Sequence, residues 1–96
     1  MIVSFGDEAT ADLFHGKKSA KARRFPSDIQ QRATRKLDIL NAAADIQDLR
    51  VPPSNHLERL SGRLEGYWSV RDNDPWRIIF RWNEGSAMDV ELADYH

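Results

Sequence analysis

The sequence predicts an α+β domain in which N-terminal helices pack on one face of a mainly antiparallel sheet of about four strands. In the first half of the chain, apolar residues recur every three or four positions, which is typical of helices. In the second half they alternate with polar residues, which is typical of strands. Helices followed by a meander of strands indicate an α+β layer architecture. The 96 residues suit a single domain covering 1–96.

A short helix is predicted near the N-terminus, after a β-prone opening at residues 2–5. Asp7 can cap this helix because its carboxylate can accept a hydrogen bond from a free backbone N–H. The helix is expected to continue through His15, and Gly16 stands where a glycine commonly ends helices. Residues 17–25 lack apolar periodicity, so we expect a loop there.

A longer helix is predicted from Ser27 to about Ala43. Ser27 and Gln30 have the spacing of a capping box, in which two side chains satisfy the first backbone N–H groups. A further turn is expected at 45–49, and two consecutive prolines then end any helix. The apolar stripe that should face the sheet is formed by Ile29, Ala33, Leu37, Leu40 and Ala44.

Four strands are predicted in the second half, at about 56–60, 67–71, 76–82 and 88–92, with turns at 72–75 and 83–86. Successive side chains of a strand point to opposite faces of a sheet. This parity predicts that the face toward the helices carries Trp68, Val70, Trp76, Ile78, Phe80, Trp82, Met88, Val90 and Leu92.

The opposite, open face is predicted to carry Tyr67, Ser69, Arg71, Arg77, Arg81 and, by the same parity, Tyr95. Aromatic rings stack on bases and guanidinium groups bind phosphates, so this face is a candidate RNA-binding surface. Because Asp89 and Glu91 lie on it too, it also fits an ordinary solvent-exposed face with cross-strand charge pairs. The residues alone leave both interpretations open.

The net charge of −1 is unevenly distributed along the chain. Residues 1–36 carry +4, from eight Lys or Arg and four Asp or Glu, and residues 37–96 carry −5, from six and eleven. A basic cluster can neutralise RNA phosphates, but it can equally be a solvated loop. The clustered residues that we consider for RNA or partner binding are Lys17, Lys18, Lys21, Arg23 and Arg24.

Several classes of function are excluded or disfavoured by composition. The absence of cysteine excludes disulfides, thiolate metal sites and a cysteine nucleophile. No apolar run has the roughly 20 residues of a membrane span, and the N-terminus does not resemble a secretory signal. The three histidines are scattered and no cofactor-binding motif occurs, so we expect no metal, no cofactor, and a location in the cytoplasm.

The C-terminal tripeptide of Asp94, Tyr95 and His96 is a candidate for acid–base chemistry, together with Arg77. Histidine is the side chain best suited to proton transfer near neutral pH, and arginine can stabilise charge on a phosphate. Strand parity points Tyr95 toward the face of Arg77, whereas Asp94 and His96 reach it only if the last residues turn off the strand. On its own the tripeptide is also compatible with an ordinary chain end.

Three collinear motifs resemble the HigB toxins of the RelE-like group. They are the glycine-spaced Gly-Tyr-Trp-Ser segment ending at Ser69, the Trp-Arg-Ile segment at 76–78, and the final Asp-Tyr-His at 94–96. The N-terminal Ile-x-Ser-Phe pattern at 2–5 and the Leu-Phe pair at 13–14 look similar as well.

The resemblance implies a RelE-like fold and the function of a toxin in a type II toxin–antitoxin system. It implies a metal-independent endoribonuclease that cleaves mRNA in the ribosomal A site by attack of a 2′-hydroxyl group. It also implies a HigA-like helix-turn-helix antitoxin as partner. Arg77 matches the strand arginine that stabilises the cleaved phosphate, and Asp94, Tyr95 and His96 match the other active-site residues.

Two positions depart from the family pattern. Related toxins can have histidine and lysine where this chain has Glu58 and Ser61. His56 lies two residues upstream and would replace the missing histidine only in a shifted loop. We therefore expect weaker cleavage, with Asp94 and His96 carrying more of the proton transfer. A non-enzymatic toxin that blocks a topoisomerase or the ribosome by binding alone is the alternative, and a non-toxic interaction module is a third.

Overall fold

The computed structural model describes residues 1–73 and 75–94, and it contains two helices and a four-stranded sheet. The helices are α1 (Glu8–Phe14) and α2 (Ser27–Ala42). The strands are β1 (Glu58–Arg59), β2 (Trp68–Asn73), β3 (Trp76–Asn83) and β4 (Ser86–Asp94), antiparallel in the order β1-β2-β3-β4. Short 3₁₀ turns cover Ala22–Arg24, Ile46–Arg50, Pro53–Asn55 and Gly62–Leu64. The predicted α+β class is confirmed.

The first helix forms as its capping residue predicts. Asp7 Oδ1 accepts a 2.9 Å hydrogen bond from the backbone N–H of Thr10, and Gly16 follows the helix with a φ of 73°. The hydroxyl of Thr10 is fully buried and accepts a 2.9 Å hydrogen bond from the N–H of Leu92 on β4. This bond ties α1 to the sheet and gives the buried hydroxyl a hydrogen-bond partner.

The core lies between the helices and one face of the sheet. The apolar stripe of α2 is buried at Ile29, Ala33, Leu37 and Leu40, as the helical spacing predicts. The last residue of the stripe differs from the prediction, because Ala43 is buried and Ala44 is exposed. The cluster also contains Val70, Ile78, Phe80, Val90 and Leu92 from the sheet. Among the residues that the structure describes, neither helix meets the length and hydrophobicity that a membrane span requires.

The predicted capping box at the start of α2 is wrong. Pro26 precedes the helix, and Ser27 is its first residue and makes no capping bond. The amide of Gln30 instead donates a 2.6 Å hydrogen bond to the carbonyl of Phe25. The proline supplies a favourable φ at the helix start, so the chain enters the helix one residue earlier than a serine cap would require.

The segment at 17–25 is more ordered than the predicted loop. It contains the turn Ala22–Arg24, and both Ala22 and Phe25 are buried. The ring of Phe25 packs edge-on against Trp76, with 5.6 Å between the ring centres. Apolar periodicity could not reveal these two anchors, because they are separated by a turn and not by helical or strand spacing.

A β-bulge in β4 corrects the predicted face of Met88. The β3–β4 register shifts between Ile79 and Arg81, and Asp89 takes a φ of 53°. Met88 therefore pairs with Arg81, while Ala87 turns toward the helices and is fully buried. An extra residue in one strand moves the side chains beyond it to the opposite face of the sheet, and a prediction from simple alternation does not include such a change.

The two edges of the sheet differ, because the β4 edge is extended by the N-terminal segment and the β1 edge is short. Ile2 and Phe5 form isolated parallel bridges with Ala87 and Val90, so the β-prone N-terminal segment lies beside β4. The first strand is only two residues long, because His56 has a left-handed φ of 45° that interrupts the extended backbone.

Candidate active site on the open sheet face

Arg77 is held on the open face by groups from three parts of the chain. Its Nε donates a 2.9 Å hydrogen bond to Ser69 Oγ on β2, and its Nη2 donates a 2.8 Å bond to the backbone carbonyl of His56. The carboxylate of Glu58 lies 4.0 Å from Nη2. The side chain is 13% exposed, so its position is set by the protein more than by solvent. A cation fixed in this way can stabilise developing charge without reorganising first.

The carbonyl of His56 reaches Arg77 because a buried asparagine holds the preceding turn. Asn55 is 1% exposed, and its Nδ2 donates to the carbonyls of Leu49 at 3.1 Å and Val51 at 3.3 Å. Lys36 on α2 donates to Asn55 Oδ1. The left-handed conformation of His56 then turns its carbonyl toward the sheet. Sequence analysis missed this role of Asn55, although a serine and an asparagine that follow two prolines are a recognisable turn signal.

Arg71 and Arg77 are direct cross-strand partners in the β2–β3 register. Two like charges at directly opposite positions destabilise a sheet unless other groups compensate. Glu58 supplies one compensating charge near Arg77. The pairing of two guanidinium groups on one face favours the binding of an anion such as a phosphate.

Tyr67 and Arg81 form the other end of this face. The guanidinium carbon of Arg81 lies 4.7 Å from the centre of the Tyr67 ring, and Arg81 Nε lies 3.5 Å from Asp89 Oδ2. Between the two ends, Ser69 and Ile79 pair across the strands and are both buried although they lie on the open face. Strand parity thus placed Tyr67, Arg71, Arg77 and Arg81 correctly on one surface.

The structure does not bring Asp94 to the face of Arg77. Asp94 pairs with Trp76, and Arg77 pairs with Ala93, so the β-strand parity directs Asp94 to the helical side. Asp94 is exposed at the end of β4. Tyr95 and His96 lie outside the described residues, and their roles remain predictions.

The basic cluster at 17–24 lies apart from the open face. Lys21 forms an ion pair of 2.5 Å with Glu8 on α1, and the turn Ala22–Arg24 packs against that helix through buried Ala22. A cavity of about 480 Å³ beside this segment is lined by residues that include Leu13, Phe14, Lys17, Lys18 and Arg23. These charges belong to the helical layer, on the other side of the sheet from Arg77.

Comparison with known proteins now identifies the fold and its family. The family model described as the RelE-like toxin of the type II toxin–antitoxin system HigB matches residues 3–96. The chain belongs to the HigB-like toxin family. The family resemblance read from the three sequence motifs is therefore confirmed, and the four-stranded sheet with helices on one face is consistent with a RelE-like fold.

Curated relatives support this assignment of the HigB-like chain. It is 39% identical over 92 residues to Toxin HigB-1 of Vibrio cholerae, covering 96% of this chain and 95% of the relative. It is 32% identical over 96 residues to Endoribonuclease HigB of Proteus vulgaris, covering the whole of both. An uncharacterised protein of Haemophilus influenzae is 35% identical over 69 residues, covering 72% of this chain and 68% of that protein. This protein is a toxin of a type II toxin–antitoxin system, which implies an antitoxin partner.

Proposed function

We propose that this toxin is a metal-independent endoribonuclease that cleaves mRNA on the ribosome. The observation that carries the proposal is Arg77, held by Ser69 and the His56 carbonyl on an open face and directly opposite Arg71. The name of its Proteus vulgaris relative, Endoribonuclease HigB, gives independent support.

The proposed reaction is attack by a 2′-hydroxyl oxygen on the adjacent phosphorus. A base removes the proton from this hydroxyl as the new O–P bond forms, and an acid protonates the 5′-oxygen as its bond to phosphorus breaks. Arg77 stabilises the additional negative charge on the phosphoryl oxygens. Asp94 and His96 transfer the protons, and Tyr95 positions the RNA, once the end of the chain turns toward the open face.

The other residues of the open face bind the RNA strand. Tyr67 offers a ring on which a base can stack, and Arg71 and Arg81 offer guanidinium groups for phosphates. Arg81 lies over the Tyr67 ring, so the ring and the charge would meet the same nucleotide. Lys17, Lys18, Lys21, Arg23 and Arg24 would supply a second, less specific contact to ribosomal RNA or to the antitoxin.

Glu58 is expected to weaken cleavage. Its carboxylate lies 4.0 Å from Arg77 and would compete with a phosphate for the same guanidinium. Ser61 offers no positive charge where related toxins can have lysine. The same two residues favour the second candidate, a non-enzymatic toxin on this fold that inhibits its target by binding alone.

We further propose a HigA-like helix-turn-helix antitoxin as the partner and the cytoplasm as the location. A small helix-turn-helix protein encoded by the neighbouring reading frame would support this partner. An unrelated neighbour would count against it.

Primer extension on mRNA from a reconstituted translation reaction tests the function. The wild-type toxin should produce cuts only when ribosomes are present, and toxin that has been treated with a chelator and then freed of it should produce the same cuts on untreated ribosomes. Arg77→Ala and His96→Ala should abolish the cuts. Arg50→Ala is a matched control, because Arg50 is an exposed arginine that bonds to Gln47 in a separate turn.

The outcomes separate the two candidates. Cuts that persist in both variants would overturn the assignment of these residues. Growth arrest that survives Arg77→Ala and His96→Ala, in the absence of any cuts, would favour the non-enzymatic toxin.

A further inference from the structure

Asp72 is a buried carboxylate without a hydrogen-bond donor. It lies near the end of β2, on the strand parity of Val70, and is 6% exposed. Neither Oδ1 nor Oδ2 has a hydrogen-bond partner among the residues that the structure describes. A buried carboxylate normally accepts several hydrogen bonds, so two open acceptors on one buried group point to a missing donor.

Positive charges surround this carboxylate without bonding to it. Arg32 and Lys36, one turn apart on α2, attract Asp72 electrostatically, but Lys36 donates its hydrogen bond to Asn55. Asp72 forms part of the wall of two cavities of about 240 Å³ each, and both share Arg32 and Lys36. One cavity is completed by Arg35 and Ile39, and the other by Ser54, Arg71 and Asn73.

The two open oxygens of Asp72 define the kind of donor that fits. A carboxylate binds best to two N–H groups side by side, as in a guanidinium group or on the Watson–Crick edge of guanine, which carries N1–H and N2–H. A guanidinium group from a partner would be repelled by Arg32, Lys36 and Arg71. In a guanosine nucleotide, the neutral base can donate hydrogen bonds to the oxygens of Asp72, and the phosphate can bind the surrounding cations.

The position of the site connects it to the open face. Arg71 lines the cavity and is also the cross-strand partner of Arg77. Ser54 lines it from the turn that leads into His56, whose carbonyl holds Arg77. An RNA strand that crosses Arg77 can therefore pass over Arg71 to the edge of the sheet beside α2.

We propose that the depression around Asp72, Arg32 and Lys36 binds a guanosine nucleotide of RNA, with the carboxylate accepting from the base and the cations binding its phosphate. The assignment to RNA rests on the proposed endoribonuclease function. The binding of guanine itself does not rest on that function, because it is inferred from the buried acceptors of Asp72 and the charges around them.

The titration of Asp72 supports this site. Burial raises the pKa of its carboxyl to about 6, Arg32 and Lys36 oppose that rise, and Asp28 adds to it. At pH 7 most of the carboxyl group is therefore ionised. The N–H donors of the base favour the charged form of Asp72, so binding of the nucleotide should lower the pKa of this carboxyl group. The affinity for the nucleotide should therefore decrease below pH 6.

Nuclear magnetic resonance titration of the ¹⁵N-labelled toxin tests the proposal without ribosomes. The probes are guanosine 5′-monophosphate, inosine 5′-monophosphate, which lacks the 2-amino group, and inorganic phosphate. The amides of Ser54 and Asn73 should shift with the guanosine nucleotide at a Kd roughly tenfold lower than with inosine nucleotide or phosphate. In Asp72→Asn, which keeps the shape of the side chain, the difference between the two nucleotides should disappear.

Three results would overturn the proposal. They are equal affinity for all three probes, no shift with any of them, and an Asp72→Asn variant that still prefers guanosine. Arg77→Ala should retain normal guanosine binding, so a failure of the proposed cleavage and a failure of this site are distinguishable. Because Asp72→Asn replaces one buried side chain by another of the same size, its circular dichroism spectrum should match the wild type.

Two further measurements separate the sources of the guanosine. If it belongs to mRNA, Asp72→Asn should redistribute the cuts among codons that contain guanine. If it belongs to ribosomal RNA, the variant should bind ribosomes more weakly while its cuts keep their positions. A variant identical to wild type in both respects would overturn the assignment to RNA.

Discussion

Two basic regions of this toxin differ in how their charges are held. On the open face, Arg77 is bonded to Ser69 and to the His56 carbonyl, and Arg81 lies against Tyr67 and Asp89. In the helical layer, the basic cluster at 17–24 is largely exposed, and Lys21 forms an ion pair with Glu8. The guanidinium groups of the first region are fixed by hydrogen bonds and stacking, whereas the segment of the second region is anchored by buried Ala22 and Phe25 and leaves most of its charged side chains exposed.

This difference indicates a division of roles. Stabilising a transition state requires charges that are already in place, because reorganising them during the reaction costs free energy. Sequence-independent attraction to RNA needs only positive charge near the surface, and salt weakens it. The open face suits catalysis, and the cluster at 17–24 suits general attraction to an RNA or protein partner.

The largest gain in activity is expected from the double variant Glu58→His, Ser61→Lys. It removes the carboxylate beside Arg77 and supplies a titratable imidazole and an additional cation. Since general acid–base catalysis contributes about 10²-fold or more, we expect the cleavage rate to increase by roughly 10–100-fold. Single-turnover cleavage on ribosomes measures this, and an unchanged rate would contradict the idea that Glu58 and Ser61 limit the site.

A smaller effect is expected from Ser69→Ala, which removes the acceptor for Arg77 Nε. A hydrogen bond to a charged group is worth about 1.5–3 kcal/mol, so the cleavage rate should fall roughly tenfold or more while the KM changes little. Ser69→Thr keeps the hydroxyl and should restore most of the rate. In the background of Arg77→Ala, the serine substitution should have no further effect, and an additive loss would show that Ser69 acts independently of Arg77.

Tyr67 tests the other end of the open face. Tyr67→Ala removes the ring on which Arg81 lies and on which we expect a base to stack. Stacking contributes about 1–3 kcal/mol per base, so the KM for ribosome-bound mRNA should rise roughly five- to tenfold. Tyr67→Phe keeps the ring and should behave like wild type; an equal loss in both variants would assign the effect to the hydroxyl instead.

The smallest predicted effect concerns stability and not activity. Burial raises the pKa of Asp72 to about 6 in the folded state, above the ordinary value of 3.8 for an aspartic acid side chain. The folded form therefore binds a proton more tightly, and the wild-type protein loses stability as the pH rises from about 4 to 6. Asp72→Asn carries no charge at this position, so its stability relative to wild type should rise by up to about 3 kcal/mol between pH 4 and pH 7.5.

Urea denaturation at the two pH values measures this difference. Arg50→Ala is a control, since Arg50 lies in a separate exposed turn and its loss should show no such pH dependence. A stability gap that is the same at both pH values would contradict the raised pKa of Asp72.

Periodicity predicted most of the fold and one part of the site. The stripe of α2 and the alternation of β2 and β3 placed the core and aligned Tyr67, Arg71, Arg77 and Arg81 on one face. These features depend on local spacing, which a sequence displays directly. The family motifs led us to propose Arg77 as the catalytic arginine, because parity alone could not distinguish it from its neighbours.

Features that depend on irregular backbone could not be predicted in this way. Because of the bulge at Asp89, Ala87 lies in the core where Met88 was predicted. The left-handed conformation of His56 directs its carbonyl toward Arg77. Burial of Asp72 depends on the packing of β2 against α2, which pairs residues about 40 positions apart. Such contacts follow from tertiary structure and leave no periodic signal.

One measurement tests the central claim that the fixed face performs the chemistry and the cluster at 17–24 only attracts. Single-turnover cleavage of mRNA on programmed ribosomes would be compared for wild type, Arg77→Ala and the double variant Lys17→Ser, Lys18→Ser at low and high salt. We predict that Arg77→Ala lowers the rate by roughly 10²–10³-fold at both salt concentrations. The lysine variant should lose no more than about fivefold, and only at subsaturating toxin and low salt. A lysine variant as inactive as Arg77→Ala, or an Arg77→Ala variant that cleaves at the wild-type rate, would contradict the account.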